Sequence, residues 1–135
     1  MNVDTQAHVY HADESKYPMV EEPSRPPEGK GSVEHLRAEM KSAGANRAVL
    51  VQTGSAYKWD NRLVADLSAE NRDGAEGVCM LDPAGSDTVA QLERLVDGFN
   101  IKGLRVAPIG EKYPMFYHLG TTRIWQVAQR LGIVI

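Results

Sequence analysis

Short apolar runs that do not alternate recur along this chain, and each is followed by an amphipathic helical pattern. Ala48-Val49-Leu50-Val51 is the clearest run, and Gly77-Val78-Cys79-Met80-Leu81 and Gly103-Leu104-Arg105-Val106-Ala107 repeat it. A strand without polar alternation is covered on both faces, as in a parallel sheet with helices packed against it. Between the runs, apolar residues fall at helical spacing. Val33, Leu36, Met40 and Ala43 follow an N-cap at Ser32 and stop at Gly44. Leu63, Val64 and Leu67 follow a cap at Asp60 or Asn61. Val89, Leu92, Val96 and Phe99 follow Ser86 or Asp87, and Ile124, Val127, Ala128 and Leu131 follow Thr121 or Thr122. Residues 2–4 form a short first strand, and Ile133-Val134-Ile135 starts a fifth.

The predicted order is β α β α β α β α β. Right-handed crossovers put every strand's C-terminal end on one side of such a sheet. The loops leaving those ends are 5–31, 52–60, 82–86 and 108–120, the most polar and aromatic stretches of the chain. Binding sites of both barrels and open α/β sheets lie at that edge. The fold class expected is therefore α/β, the N-terminal half of a TIM (β/α)8 barrel. It has about four βα units plus the start of strand five. The chain has 135 residues, about half of the ~250 of a complete barrel. We read residues 1–135 as a single partial barrel domain, a fragment that stops before the later strands.

Composition narrows the partners. The net charge is −3, with 24% charged residues and the Lys and Arg scattered, so neither nucleic acid nor an anionic membrane is expected to bind. The single Cys79 excludes an internal disulfide and a multi-Cys zinc site. The N-terminus reads as no secretory leader, and no apolar run approaches the ~20 residues that span a bilayer. A cytoplasmic protein is expected.

Asp4, Gln6 and His8 alternate along one extended segment, and a period of two sends all three to one face. At a barrel mouth Gln6 and His8 would aim into the pocket. The plainer alternative is a buried polar cluster tying strand one to its neighbours. Arg105, past the apolar start of strand four, suits a bidentate grip on a carboxylate or a structural ion pair with a loop acid. Lys112 on the next loop is a further cation. Thr53, Ser55 and Tyr57 follow strand two, where hydroxyls near Gly54 could line a pocket for an anionic or carbonyl group. Ordinary turn chemistry is the alternative for Thr53 and Ser55. Tyr57 and Trp59 are pocket walls or cover for the rim. Cys79 reads as a small buried residue, His35 as a surface residue and His11 as solvent-facing, and His118 could reach the site but has no identifiable partner. Tyr113, Met115, Phe116 and Tyr117 read as a loop packed by its own aromatics.

Asp4-Thr5-Gln6-Ala7-His8-Val9-Tyr10 resembles the opening strand of the amidohydrolase-related branch of the amidohydrolase superfamily, which usually reads Asp-x-His-x-His-Val. The resemblance continues through Ala45 to Gln52, Asp60-Asn61-Arg62, Gly77 to Pro83, Lys102 to Val106, and Trp125, Ala128, Leu131 and Gly132. It covers almost the whole chain in order. It implies a (β/α)8 barrel and a hydrolase, similar to lactonases of the 2-pyrone-4,6-dicarboxylate type. Metal-dependent hydrolases and decarboxylases share that family.

The resemblance also implies site roles. Gln6 stands where the family's first metal-binding histidine usually stands, and a neutral amide is a poor zinc ligand. His8 remains as a lone metal ligand, so the cofactor is either none or one divalent metal such as zinc. In the metal-free lactonases, Gln6 and His8 would polarise the substrate carbonyl, and Arg105 would hold a carboxylate of the small-molecule substrate. The family's remaining histidines and its water-activating aspartate belong to strands five, six and eight, so this fragment alone is expected to be inactive. A decarboxylase on the same barrel is the alternative enzyme. A non-catalytic half barrel that pairs with itself as a homo-oligomer is the alternative from another class, because open sheet edges invite association.

Overall fold

The computed structural model describes residues 2–106 and 118–135. Four strands, β1 (Val3–Ala7), β2 (Arg47–Val51), β3 (Ala75–Met80) and β4 (Ile101–Arg105), form one sheet in the order β1-β2-β3-β4. All three pairings are parallel. The helices are α1 (Val33–Ala43), α2 (Gly54–Tyr57), α3 (Arg62–Glu70), α4 (Thr88–Gly98) and α5 (Leu119–Leu131). Val134 forms a parallel bridge to Gly103, where the fifth strand was expected to start. This is the expected half barrel.

The alternation of each strand sorts its side chains. Ala48 and Leu50 of β2, and Ala75 and Cys79 of β3, point to the helices and are buried. Arg47, Val49 and Val51, with Glu76 and Val78, point the other way and are half-buried. At the N-terminal end of that second face Arg47 Nη2 pairs with Glu76 Oε1 at 2.9 Å. The helix-side core has two clusters. One gathers Ala7, Val9, Ala48, Leu50, Leu63 and Val64 under α1 and α3. The other gathers Cys79, Leu92, Ile101, Leu104 and Ile124 under α4 and α5.

Several boundaries differ from the sequence reading. β1 runs to Ala7, beyond the expected residues 2–4, and its register shifts between Asp4 and Ala7. Asp4 there pairs with Ala48 and Ala7 with Leu50, both helix-facing positions. The three-residue step against two on β2 is a bulge, and Asp4 Oδ1 caps it by accepting from the Gln6 amide at 3.0 Å. Asp4 therefore does not share the face of Gln6 and His8. The expected loop 52–60 contains the single turn of α2. The last helix starts at Leu119 rather than at Thr121 or Thr122, because His118 Nδ1 accepts from the Gly120 amide. A Cβ on Gly120 would stand 1.7 Å from the Pro83 carbonyl oxygen, so this turn docks directly on the loop that leaves β3.

Candidate functional site

The C-terminal ends of the strands gather the polar groups. Ala7 and Val9 are buried among the helix-side residues, so His8 between them faces the other way. Its Nδ1 lies 2.9 Å from the Val51 carbonyl oxygen at the end of β2. A carbonyl only accepts, so Nδ1 carries the proton and Nε2 of the neutral ring is left as the acceptor. Arg105, at the end of β4, reaches back across β3 and donates from Nη1 to the Gln52 carbonyl at 3.2 Å. The imidazole of β1 and the guanidinium of β4 thus fasten to successive carbonyls of the strand between them.

Arg105 is half-buried and forms no ion pair among the described residues. A guanidinium has five N–H donors, and one is used among the described residues. Gln6 is exposed, and its side-chain amide makes no hydrogen bond among the described residues. By alternation it precedes His8 on the same face.

Two of the expected pocket residues belong to the scaffold. Thr53 is buried, and its hydroxyl donates to the Val9 carbonyl at 3.3 Å. Tyr57 is buried in the first cluster, and its hydroxyl accepts from the His11 amide at 3.0 Å. Each closes a contact between the β1 loop and residues 53–57. Ser55 is exposed on α2, and its carbonyl accepts from the Ser24 amide. His11 packs edge-on against Tyr17, and Tyr17 donates to Asp66 Oδ2 at 2.7 Å. Lys112, Tyr113, Met115, Phe116 and Tyr117 lie outside the described residues.

Two buried carboxamides that sequence reasoning passed over hold this end together. Gln52 Nε2 donates to the Lys58 and Asp60 carbonyls at 3.0 and 2.8 Å. Asn61 closes a two-point clamp on Met80, accepting its amide at 2.9 Å and donating to its carbonyl at 2.8 Å. Asn61 precedes α3 as expected, but its side chain makes no capping bond there. The Met80 side chain lies under Gly54, where a Cβ would meet Met80 Cε at 2.6 Å. The signal for Gln52 in the sequence is a polar residue directly after an apolar strand.

Two carboxylates near this end, Asp60 and Asp82, have partners among the described residues. The Arg62 guanidinium holds Asp60 below the usual carboxylate range. Asp82 Oδ1 accepts from the Ala84 amide at 2.9 Å. Among the described residues no three His, Cys, Asp or Glu side chains stand together in a way that could hold a metal ion. His8 is one imidazole beside a neutral amide, a set that does not fit zinc by itself. No helix among the described residues is long and apolar enough to cross a membrane.

Comparison with known proteins adds the family. The family model described as Amidohydrolase matches residues 3–135. No curated protein matches the chain. Among solved structures, the chain is similar to a protein of Acinetobacter baumannii assigned as a 2-pyrone-4,6-dicarboxylic acid hydrolase and crystallised with citric acid. The TM-score is 0.77 at 20% identity, over 99% of this chain and 48% of that one. A Pseudomonas putida protein with the same assignment gives a TM-score of 0.71 at 20% identity, over 98% and 46%. The 5-carboxyvanillate decarboxylase of Sphingomonas paucimobilis gives 0.71 at 18% identity, over 98% and 50%. The chain therefore spans about half the length of these structures, and the likeness is one of fold.

Proposed function

The chain belongs to the amidohydrolase family, and from that membership we propose that it supplies half the active site of a hydrolase opening a carboxylated lactone or similar carbonyl substrate. The observation that carries this reading is the convergence of His8 and Arg105 on the adjacent carbonyls of Val51 and Gln52. Arg105 offers its unused donors to a substrate carboxylate, a pairing geared to bidentate contact. The citric acid held by the Acinetobacter baumannii protein supports a polycarboxylate substrate class. Gln6 donates from its free amide to the carbonyl under attack, where a developing negative charge rewards it. His8, with Nδ1 committed to Val51, joins as a donor from Nε2 only when its ring is protonated.

Water attacks the carbonyl carbon, the ester C–O bond breaks, and the products are a carboxylate and a hydroxyl. A base must take the proton of the attacking water. With Asp60 held by Arg62 and Asp82 bonded to Ala84, we assign that base to strands beyond these four.

A decarboxylase is the second reading, favoured by the fold likeness to the 5-carboxyvanillate enzyme. It too needs a cation for the substrate's acid group. A screen of the complete enzyme separates the two, because lactone opening releases a proton without carbon dioxide. In the lactonase, Gln6→Ala and His8→Ala each lower turnover by ~10²-fold, the scale of one lost oxyanion donor. Arg105→Met raises KM for carboxylated lactones by roughly 10-fold or more and leaves neutral lactones unchanged. An equal effect on neutral lactones removes the carboxylate role, and carbon dioxide release replaces the hydrolase with the decarboxylase.

A further inference from the structure

A cavity of about 160 Å³ lies on the helix side of the sheet, between α1, α3 and strands β2 and β3. Val33, Leu36, Met40, Ala48, Leu50 and Leu67 form its walls. It is separated from His8 and Arg105 by the sheet itself. An apolar space of about 150 Å³ is large enough to accept a benzene ring. Two further observations give this one an occupant.

The first is the state of α1. Val33, Leu36 and Met40 turn toward the first core cluster, yet α1 has no fully buried residue. The apolar stripe packs against that cluster only in part, so a body filling the cavity would complete its burial. The second is the charge at the mouth. Arg37 and Asn71 line it, and Arg37 Nη2 donates to the neutral Asn71 Oδ1 at 2.9 Å. Arg37 forms no ion pair among the described residues, although Glu34 on the preceding turn feels its charge. A guanidinium at the rim of an apolar, ring-sized space complements an apolar ring that carries an anion.

We propose that this cavity is a second ligand site for a small carboxylated ring, with the ring among Val33, Leu36 and Leu67 and the carboxylate at Arg37. The site is independent of the chemistry assigned to the strand ends.

Benzoate is the probe, titrated into the chain and followed through its methyl NMR signals. Saturable shifts at Val33, Leu36 and Leu67, with Val49, Val51 and Val78 unmoved, are expected. Benzyl alcohol, of the same ring size and uncharged, should bind roughly 10-fold more weakly. Arg37→Gln should bring benzoate down to the level of benzyl alcohol, and Ala48→Leu, which fills the space, should abolish both. The proposal is overturned by shifts confined to Val49, Val51 and Val78, which report the opposite face. It is also overturned by equal affinity for the two probes, or by benzoate affinity unchanged in Arg37→Gln. The methyl map decides the location even where Ala48→Leu does not fold.

Discussion

Around β3 and β4, Cys79, Leu92, Ile101 and Ala128 are completely covered, and α5 buries Thr121, Ile124, Val127 and Ala128. Around β1 and β2, α1 buries nothing, although its apolar residues recur at the same helical spacing. The cause lies in the sheet beneath. Below α1 the strands present the small side chains Ala7 and Ala48 beside Leu50, and below α4 and α5 they present Ile101 and Leu104 beside Cys79. Large side chains on both layers interdigitate to full density, and a helix over alanines leaves a gap. Amphipathicity thus tells which side of a helix turns inward, and the partner layer decides how closely it arrives. The proposed site spans the contrast, taking His8 from the looser half and Arg105 from the tighter one.

The largest effect should appear at Cys79. Burial pushes its thiol up to about 12, against about 8.5 for an ordinary cysteine. At pH 8 the thiolate is then scarcer by ~10³-fold than in the unfolded chain, and labelling by a thiol reagent slows at least that much. The same shift couples to stability. Above about pH 8.5 the unfolded chain sheds this proton while the folded one keeps it, so stability falls as the pH rises. A Cys79 that labels as quickly as a free thiol would show the second cluster to be as open as the first.

Next in size is a pair of truncations. Leu92→Ala should cost about 2–5 kcal/mol in urea unfolding, since the side chain is fully enclosed. Leu36→Ala, on the cavity wall, should cost about 1 kcal/mol, because part of its surface already lacks partners. Equal costs would abolish the distinction between the halves.

The sequence carried the architecture well, for reasons that also locate its misses. β2 and β3 were legible because strands covered on both faces lose polar alternation, and α1 because Ser32 accepts from the His35 amide as a cap should. α2 was hidden because four residues are too few to show a period. α5 began early because its cap is the imidazole of His118, outside the usual Ser, Thr, Asp and Asn set. Alternation implied that Asp4 shares a face with Gln6 and His8, and a bulge made by a local Asp4 bond broke that inference. The nearness of His8 and Arg105 followed from parallel strands ending together. What anchors them did not, since main-chain carbonyls are the same at every position and leave no mark in a sequence. Thr53 and Tyr57 had the right chemistry for a pocket wall, and only the packing of the β1 loop onto α2 shows that it is spent inside.

The smallest expected effect is the sharpest test of why the halves differ. If the gap under α1 comes from the alanines of the sheet, adding two methyl groups there should fill space rather than force it. Ala48→Val is compatible with a strand interior and faces the cavity. It should raise stability by about 0.5–1 kcal/mol, the low end for cavity filling. The same change at Ala128, which has no free surface, should instead cost about 1–3 kcal/mol through overpacking. Opposite signs for one substitution in two βα layers would trace the loose docking of α1 to missing volume in the sheet. Losses of equal size at both positions would mean that the space under α1 closes in solution and that its apolar stripe is held another way.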